Sequence, residues 1–189
     1  SFIMATDISS SFKSSEIVPD VVDTPPKELL SVTYNDRPVE FSMELTPTQV
    51  KDAPAVTWSP EASTFYTLCM TDPDATSRKN PILREVLHWL VTNIPGNDVS
   101  QGDNLAEYRG SGPPEGSGLH RYVFLLYKQP GKLSFDGEKR ISNRSRDGRL
   151  KFSIRKFADK YGLGEPIAGN MYQAQYDDYV PILHAQYTD

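Results

Sequence analysis

The feature that most constrains this chain is a glycine- and proline-rich loop that leads directly into a dense apolar segment. The loop, at residues 105–119, holds Pro113-Pro114 between four glycines, Gly110, Gly112, Gly116 and Gly118. Residues 121–127 are rich in β-branched and aromatic side chains, which predicts a buried strand. Glycine lets a ligand approach backbone N–H groups closely. The stretch therefore predicts either an anion-binding loop or an ordinary turn before a core strand.

Several other segments have the apolar pattern of strands. With the segment above, the predicted strands are residues 29–34, 38–45, 55–59, 64–71, 86–94, 121–127 and 174–179. Segment 64–71 is apolar on both faces, so it is expected in the centre of a sheet. Asn35-Asp36 is expected to form a turn between the first two strands, and residues 97–104 a polar loop.

Helices are predicted to be few and short. They are expected at residues 14–18, 150–161 and 180–186. A capped turn is also expected after Thr46, because Pro47 suits the first helical position and Gln49 completes a capping box. In 150–161 apolar residues recur every three or four positions, and Gly162 suits the C-terminal cap.

Strands outnumber helices, and no regular crossover helices connect them. This pattern predicts a single mainly β domain over residues 1–189, built on an antiparallel sheet or sandwich. Residues 1–3 are expected to be additions before a natural start at Met4.

Composition excludes several classes of protein. The formal net charge of −5 argues against a general nucleic-acid binder. The single cysteine, Cys69, lies in an apolar run, so neither a disulfide framework nor a CxxC metal pattern exists. Because we find no signal peptide and no apolar stretch approaching the roughly 20 residues of a membrane span, we expect a soluble cytoplasmic protein.

Few residues can carry chemistry. The sequence has no G-x-S-x-G nucleophile elbow and no HExxH zinc motif, and Pro113-Pro114 would prevent a dinucleotide-binding helix after Gly110-Ser111-Gly112. Asp72, His88 and His120 remain as candidate polar groups. Their spacing matches no metal signature, so no metal site is predicted. His88, on a strand face, is either a hydrogen-bonded core residue or, if Asp72 points into the same pocket, part of a site.

Six segments together resemble the phosphatidylethanolamine-binding proteins, the family that includes the Raf kinase inhibitor protein. They are Leu45-Thr46-Pro47-Thr48-Gln49-Val50, Thr71-Asp72-Pro73-Asp74-Ala75, His88-Trp89-Leu90-Val91, Asn93-Ile94-Pro95-Gly96, Tyr108-Arg109-Gly110-Ser111-Gly112-Pro113-Pro114 and Gly118-Leu119-His120-Arg121-Tyr122. The resemblance extends from about Val18 to Val180.

The resemblance implies a large antiparallel sheet packed on a smaller one, with a few peripheral helices. It also implies a small pocket for phosphate, phosphorylethanolamine or the phosphatidylethanolamine head group, at most peripheral membrane contact, and no cofactor. The pocket residues that it implies are Asp72, His88, Gly112, Pro114, His120, Tyr122 and His184. We expect the tyrosine hydroxyl, the imidazoles of His88 and His120 and the loop amides to donate hydrogen bonds to an anion, and binding to tighten as the pH falls. A cis peptide is expected at Arg84-Glu85.

Three classes of function remain open. The first is a non-enzymatic head-group-binding protein that modulates signalling, for example by inhibiting a protein kinase cascade. The second is a serine protease inhibitor, although no inhibitory loop can be identified. The third is a hydrolase using Asp72 with His88 or His120, for which the sequence offers no nucleophile.

The chain departs from the family pattern at three positions of the pocket. Thr76 replaces a usual proline, Val86 replaces an aromatic residue, and His184 stands where some members have tyrosine. The chain is acidic overall, but it also contains a local cluster of basic residues. This cluster is either a patch for anionic partners or a solvated surface. Its members are Arg140, Arg144, Arg146, Arg149, Lys151, Arg155 and Lys156.

Overall fold

A computed structural model describes residues 5–189, with side chains from residue 8 onward. The expected additions at residues 1–3 and the start at Met4 lie outside this part. The strands are β1 (Glu28–Leu29), β2 (Ser31–Tyr34), β3 (Arg37–Pro38), β4 (Ala55–Thr57), β5 (Phe65–Asp72), β6 (Val86–Pro95), β7 (Asp103–Ala106), β8 (His120–Lys128) and β9 (Ala168–Ala174). The α-helices are α1 (Ala5–Ser14), α2 (Ile17–Asp20), α3 (Ile154–Tyr161) and α4 (Val180–His184), and 3₁₀ helices span Pro47–Val50 and Val99–Gln101.

The strands form a larger and a smaller sheet. The six-stranded sheet has the order β1-β9-β8-β5-β6-β7, and the three-stranded sheet has the order β3-β2-β4. All pairs are antiparallel except β1 with β9. The predicted mainly β fold, a large antiparallel sheet on a smaller one with few helices, is confirmed.

Both faces of the large sheet are buried. One face packs on the small sheet, with Tyr122, Phe124 and Leu126 of β8 against Val32 and Val56. The residues between them on β8, Val123, Leu125 and Tyr127, face the helices on the other side. Continuous burial explains why β5 and β8 read as apolar on both faces in the sequence.

The helix-capping residues that the sequence predicts are present in the structure. Thr46 and Gln49 form the predicted capping box before the 3₁₀ helix at Pro47–Val50. Gly162 caps α3 in the left-handed conformation, with φ 64°. However, α3 begins at Ile154 rather than Leu150. Residues 151 and 152 donate instead to the carbonyls of Leu83 and Glu85, so this backbone lies beside the segment that precedes β6 before Ser153 caps the helix.

Four predictions of elements are wrong in part. Of segment 38–45, only Pro38 lies in a strand, as the last residue of β3, because the chain turns at Ser42, whose φ is 71°. Segment 174–179 is not a strand beyond Ala174, because Asp177 forms an Asx turn with the amide of Tyr179. The predicted polar loop 97–104 contains the start of β7. The helix expected at 14–18 is displaced, since α1 ends at Ser14 and Glu16 is left-handed.

Three cis peptide bonds occur in the described residues, at Val18-Pro19, Ala75-Thr76 and the expected Arg84-Glu85. The prolines of the glycine-rich loop are therefore trans. Among residues 5–189, no helix combines the length and apolarity needed to cross a membrane.

Candidate functional site

A small cavity lies where β5, β6 and β8 meet the glycine-rich loop and α4. Its volume is about 110 Å³, and all seven predicted site residues line it. They are Asp72, His88, Gly112, Pro114, His120, Tyr122 and His184. The sequence separates these residues by more than a hundred positions, and the antiparallel order β8-β5-β6 brings them together.

Asp72 and His120 form a buried pair at one wall of this cavity. Asp72 ends β5 and His120 begins β8, and the two strands are neighbours. His120 Nδ1 lies 2.7 Å from Asp72 Oδ2. The other carboxylate oxygen accepts from the amide of Asp74 at 2.7 Å. Both oxygens of Asp72 therefore already have a donor in the protein.

Ser117 determines where the protons of His120 lie. The Ser117 hydroxyl donates to the carbonyl of Pro114 at 2.7 Å, and its oxygen lies 2.8 Å from His120 Nε2. Since a hydroxyl has a single proton, Nε2 must donate to Ser117 while Nδ1 donates to Asp72. Both nitrogens of His120 are then occupied by protein acceptors. No sequence motif indicated this role of Ser117.

His88 is neutral and cannot serve as the predicted donor. Its Nδ1 donates to the carbonyl of Arg109 at 2.8 Å, so Nε2 carries the lone pair. Burial lowers the pKa of His88 to about 4, with Arg149 and Arg109 acting in the same direction and Asp72 opposing. Both interpretations of His88 hold in part, because it is a hydrogen-bonded core residue and also lines the cavity.

The glycine-rich loop that forms part of the cavity wall is held in place by contacts with Tyr172 and with the 3₁₀ helix at Pro47–Val50. Ser111 and Tyr172, both buried, are joined by a hydrogen bond of 2.6 Å between their hydroxyls. Gly110 packs so closely on the 3₁₀ helix that an added Cβ would lie 2.8 Å from the carbonyl oxygen of Val50. No backbone carbonyl of the described chain accepts from the amides of Gly110 or Gly112, which leaves both as donors.

His184 and Tyr122 complete the wall. His184 Nε2 donates to the carbonyl of Gly112 at 3.0 Å, and partial burial lowers the pKa of this histidine. An added Cβ at Gly112 would lie 2.8 Å from the same nitrogen, so only glycine fits there without movement. Tyr122 lies edge-on to His88, and burial holds its pKa well above the usual value. Its phenol therefore remains protonated and can donate.

Three arginines surround this site, and the sequence analysis did not place any of them there. Arg149 is buried in the wall, Arg146 lines the cavity from the surface, and Arg109 lies behind the loop. Arg149 remains a cation at neutral pH although burial lowers its pKa to about 10. The basic cluster is thus not a single solvated surface. Asp72 is the sole carboxylate in the described lining.

The three departures from the family pattern have different positions. Val86 and the exposed Thr76 both line the cavity, and His184 occupies the wall as a donor to the loop. Within the described residues, no group of three acidic, histidine or cysteine side chains is placed to hold a metal ion.

Comparisons with known proteins agree with this geometry. The family model described as phosphatidylethanolamine-binding protein matches residues 31–173. A Drosophila melanogaster protein provisionally named odorant-binding protein A5 is 44% identical over 172 residues, which cover 90% of this chain and 81% of the relative.

Two solved structures are similar over nearly their whole length. The solution structure of CG7054 has 53% identity and a TM-score of 0.75, covering 92% of this chain and 99% of that one. The carboxypeptidase Y inhibitor, solved with its cognate proteinase, has 27% identity and a TM-score of 0.78, covering 94% and 98% of the two chains. Since the family model spans most of the sequence that forms the two sheets and the cavity, the chain belongs to the phosphatidylethanolamine-binding protein family.

Proposed function

We propose that this protein binds phosphoryl anions, as phosphate or as the phosphorylethanolamine head group, and acts as a non-enzymatic modulator of a signalling partner. The observation that carries this proposal is the charge of the cavity wall. Arg146 and Arg149 line it, whereas the sole lining carboxylate, Asp72, is already paired with His120. The surplus of positive charge favours an anion over a cation.

The size of the cavity restricts the ligand to a head group. Sites for drug-sized ligands have volumes of roughly 300–1,000 Å³, whereas this cavity has about 110 Å³. A phosphoryl group with a short substituent suits such a volume, and the acyl chains of a lipid would remain outside. Leu83, Val86 and Leu150 give the lining an apolar part beside the arginines. This combination suits a head group presented at a membrane surface, without insertion of the protein.

Donors for a phosphoryl group are available without the histidines. Tyr122, Arg146, Gly110 and Gly112 all line the cavity, and their phenol, guanidinium and backbone amides are potential donors. His88 Nε2, which has a lone pair, can accept from the ammonium of an ethanolamine or from a protonated phosphoryl oxygen. The neutral imidazole thus suits a ligand that carries both an acceptor and a donor.

A matched pair of tyrosines on β8 provides the test. Tyr122 and Tyr127 are both buried, but Tyr127 belongs to the core cluster on the opposite face of the sheet. Calorimetric titration with phosphorylethanolamine should show saturable binding that Tyr122→Phe weakens by about tenfold or more, as expected for the loss of a hydrogen bond to a charged group. Tyr127→Phe should leave affinity unchanged. Failure of the folded wild-type protein to bind phosphorylethanolamine or phosphate would refute the proposal.

One feature of the structure resembles a hydrolase site, but its hydrogen bonds argue against that function. Ser117, His120 and Asp72 are connected in the order of a serine hydrolase triad, with 2.8 and 2.7 Å between successive atoms. However, the Ser117 proton is donated to Pro114 rather than to the imidazole. A serine that accepts from the imidazole, and whose own proton is donated to another acceptor, lacks a general base. We therefore expect no turnover of p-nitrophenyl acetate that depends on Ser117, and such turnover would favour the enzyme.

Protease inhibition is the second candidate, because the similar carboxypeptidase Y inhibitor was solved in complex with its cognate proteinase. Titrating a serine carboxypeptidase with the purified protein would separate this function from head-group binding. Stoichiometric inhibition that the Tyr122→Phe variant retains would show that an inhibitory surface exists apart from the cavity. The kinase-cascade partner, which rests on the family resemblance, and a cytoplasmic location, which rests on the sequence features described above, also belong to the proposal.

A further inference from the structure

We infer that Arg146 supplies the guanidinium that pairs with the phosphoryl oxygens of the ligand. This inference rests on the proposed function and identifies its main charged contact. Arg146 lies in the loop between β8 and α3, outside every segment that carries the family resemblance. The other cationic and imidazole groups in the cavity lining already donate to protein acceptors.

The imidazoles are already committed to protein acceptors. His120 donates with both nitrogens, to Asp72 and to Ser117. His88 donates to the carbonyl of Arg109 and His184 to the carbonyl of Gly112. The remaining nitrogens of these two neutral rings carry lone pairs and cannot donate to an anion.

The buried arginines are committed as well. Arg149 donates to the carbonyls of Leu87, His88, Glu107, Ser142 and Ser145, over distances of 2.8 to 3.4 Å. A guanidinium has five N–H groups, so Arg149 has none left for a ligand. The two terminal nitrogens of Arg109 donate to the carbonyls of Asn143 and Leu183 and to the side chain of Gln186, whereas its Nε has no partner among the described residues. Arg109 is not part of the cavity lining. Both cations contribute charge to the site but no direct contact.

Arg146 differs from these groups in being exposed and unpaired. No carboxylate of residues 8–189 lies within 4.0 Å of its guanidinium, and the side chain lines the cavity. Its backbone is fixed, because its amide donates to Asp189 at 2.9 Å. Its guanidinium lies 5.7 Å from the centroid of the Tyr187 ring, which also lines the cavity. The side chain is thus positioned at the mouth with its donors available.

A guanidinium binds two oxygens of one phosphoryl group through parallel hydrogen bonds. Phosphate monoesters and the diester of a lipid head group both present two such oxygens, so the shared ligand chemistry is the phosphoryl group. Arg144 is a control within the same loop. It has the same charge and is exposed two residues earlier, but it does not line the cavity.

The experiment is a calorimetric titration of wild type, Arg146→Ala, Arg146→Lys and Arg144→Ala with phosphorylethanolamine and with glycerophosphorylethanolamine. We expect Arg146→Ala to weaken binding by about tenfold or more and Arg144→Ala by no more than about twofold, since only Arg146 makes a charge-assisted contact. The loss of affinity in Arg146→Lys should lie between these two values, because an ammonium retains the charge but cannot form the bidentate hydrogen bonds of a guanidinium.

The outcomes separate this inference from the proposed function. Binding by wild type that Arg146→Ala and Arg144→Ala weaken equally would overturn the role of Arg146 and leave the head-group site standing. Absence of binding by wild type would refute the site itself. A loss in Arg146→Ala for both ligands assigns the contact to lipid head groups as well as free phosphomonoesters, whereas a loss for the monoester alone assigns it to the latter.

Discussion

The positions of the ring protons of His120 and His88 follow from the individual hydrogen-bond acceptors that the fold places beside each ring. His120 has two acceptors, Asp72 and Ser117, and His88 has the carbonyl of Arg109 on one nitrogen. The two rings therefore differ in how many of their nitrogens have a protein acceptor, although they lie in one cavity wall. The tightening of binding that we expected as histidines become cationic cannot come from His88, whose pKa is about 4.

This difference predicts two distinct nitrogen spectra at pH 7. Both ring nitrogens of His120 should have the ¹⁵N shifts of N–H donors, because each donates to a protein acceptor. His88, as the internal comparison, should show a protonated Nδ1 and an unprotonated Nε2. Long-range ¹H–¹⁵N correlation of the labelled protein makes the measurement. A neutral His120 with an unprotonated Nε2 would mean that Ser117 donates to the ring, and the hydrolase would become the better candidate.

Glu85 gives a second prediction at this scale, about stability. Burial raises its pKa from 4.5 to about 8, so the folded chain keeps a proton that the unfolded chain loses between these values. The free energy of unfolding therefore falls as the pH rises through this range. His88 acts in the opposite direction, but only below its unperturbed pKa of 6.5. Between pH 6.5 and 8, Glu85 should lower the stability of wild type by at most about 2 kcal/mol.

Urea unfolding at pH 6.5 and pH 8 measures this effect. Glu85→Gln, which is neutral at both values, should remove the decrease, whereas Glu40→Gln at an exposed site should leave it in place. Identical pH slopes for wild type and Glu85→Gln would show that Glu85 does not keep its proton in the folded protein.

At the scale of elements, a buried ion network joins the N-terminal helices to the turn after β5. Arg121 of β8 contacts Asp74 with two nitrogens, at 2.9 and 2.6 Å, and both side chains are fully buried. The same guanidinium donates to the carbonyl of Ser15 and to Asp20. Asp72 and Asp74, two residues apart, thus hold consecutive residues of β8, namely His120 and Arg121.

Removal of this buried cation should be costly. Arg121→Leu would leave the Asp74 carboxylate without its main partner, and such changes cost roughly 3–5 kcal/mol. Arg78→Leu is the control, because its ion pair with Glu16 is exposed and such pairs contribute at most about 1 kcal/mol. Denaturant unfolding gives both values, and hydrogen exchange should show faster exchange at residues 17–22 in Arg121→Leu alone. Equal losses of stability in the two variants would contradict the argument.

The sequence was most informative for elements whose own residues determine their structure. β5, β6 and β8 are apolar on one or both faces over eight or more residues, and each was predicted within one residue at its start. The capped turn at Thr46 depends on side chains within four positions. In contrast, β1 and β3 have two residues each, and β9 contains glycine and asparagine, so these strands form because neighbouring strands supply hydrogen bonds.

The candidate site shows the same difference between features that local sequence predicts and features that depend on distant residues. Family resemblance, rather than spacing, located the seven lining residues, and the structure brings them together. Ser117 and the three arginines were missed because their roles depend on carbonyls and carboxylates distant in sequence. Arg149, for example, binds Leu87 and Glu107, which lie on different segments of the chain. No local pattern distinguishes such an arginine from the exposed Arg144 nearby.

For the whole molecule, the cavity exists only when the complete fold is formed. Its wall combines the end of β5, the start of β6, the glycine-rich loop, the start of β8, the loop before α3, and α4. These segments span residues 72–187. They depend on long-range pairing, because β5 lies between β8 on one side and β6 on the other. A ligand that requires all of them binds the folded chain and not the unfolded one, and it must therefore stabilise the fold by mass action.

This linkage predicts that phosphate raises the free energy of unfolding. At a free concentration one hundred times the dissociation constant, the increase should be about 2.7 kcal/mol, and it should grow with the logarithm of concentration. Thermal and urea unfolding in sodium phosphate, compared with sodium chloride at equal ionic strength, isolate the specific effect from screening. Tyr122→Phe and Arg146→Ala should shift the curve to higher phosphate, because each removes a donor from the lining without disturbing the other segments. If phosphate stabilises these variants and wild type equally, the anion binds elsewhere on the folded protein, and the cavity would lose its assignment as the phosphoryl site.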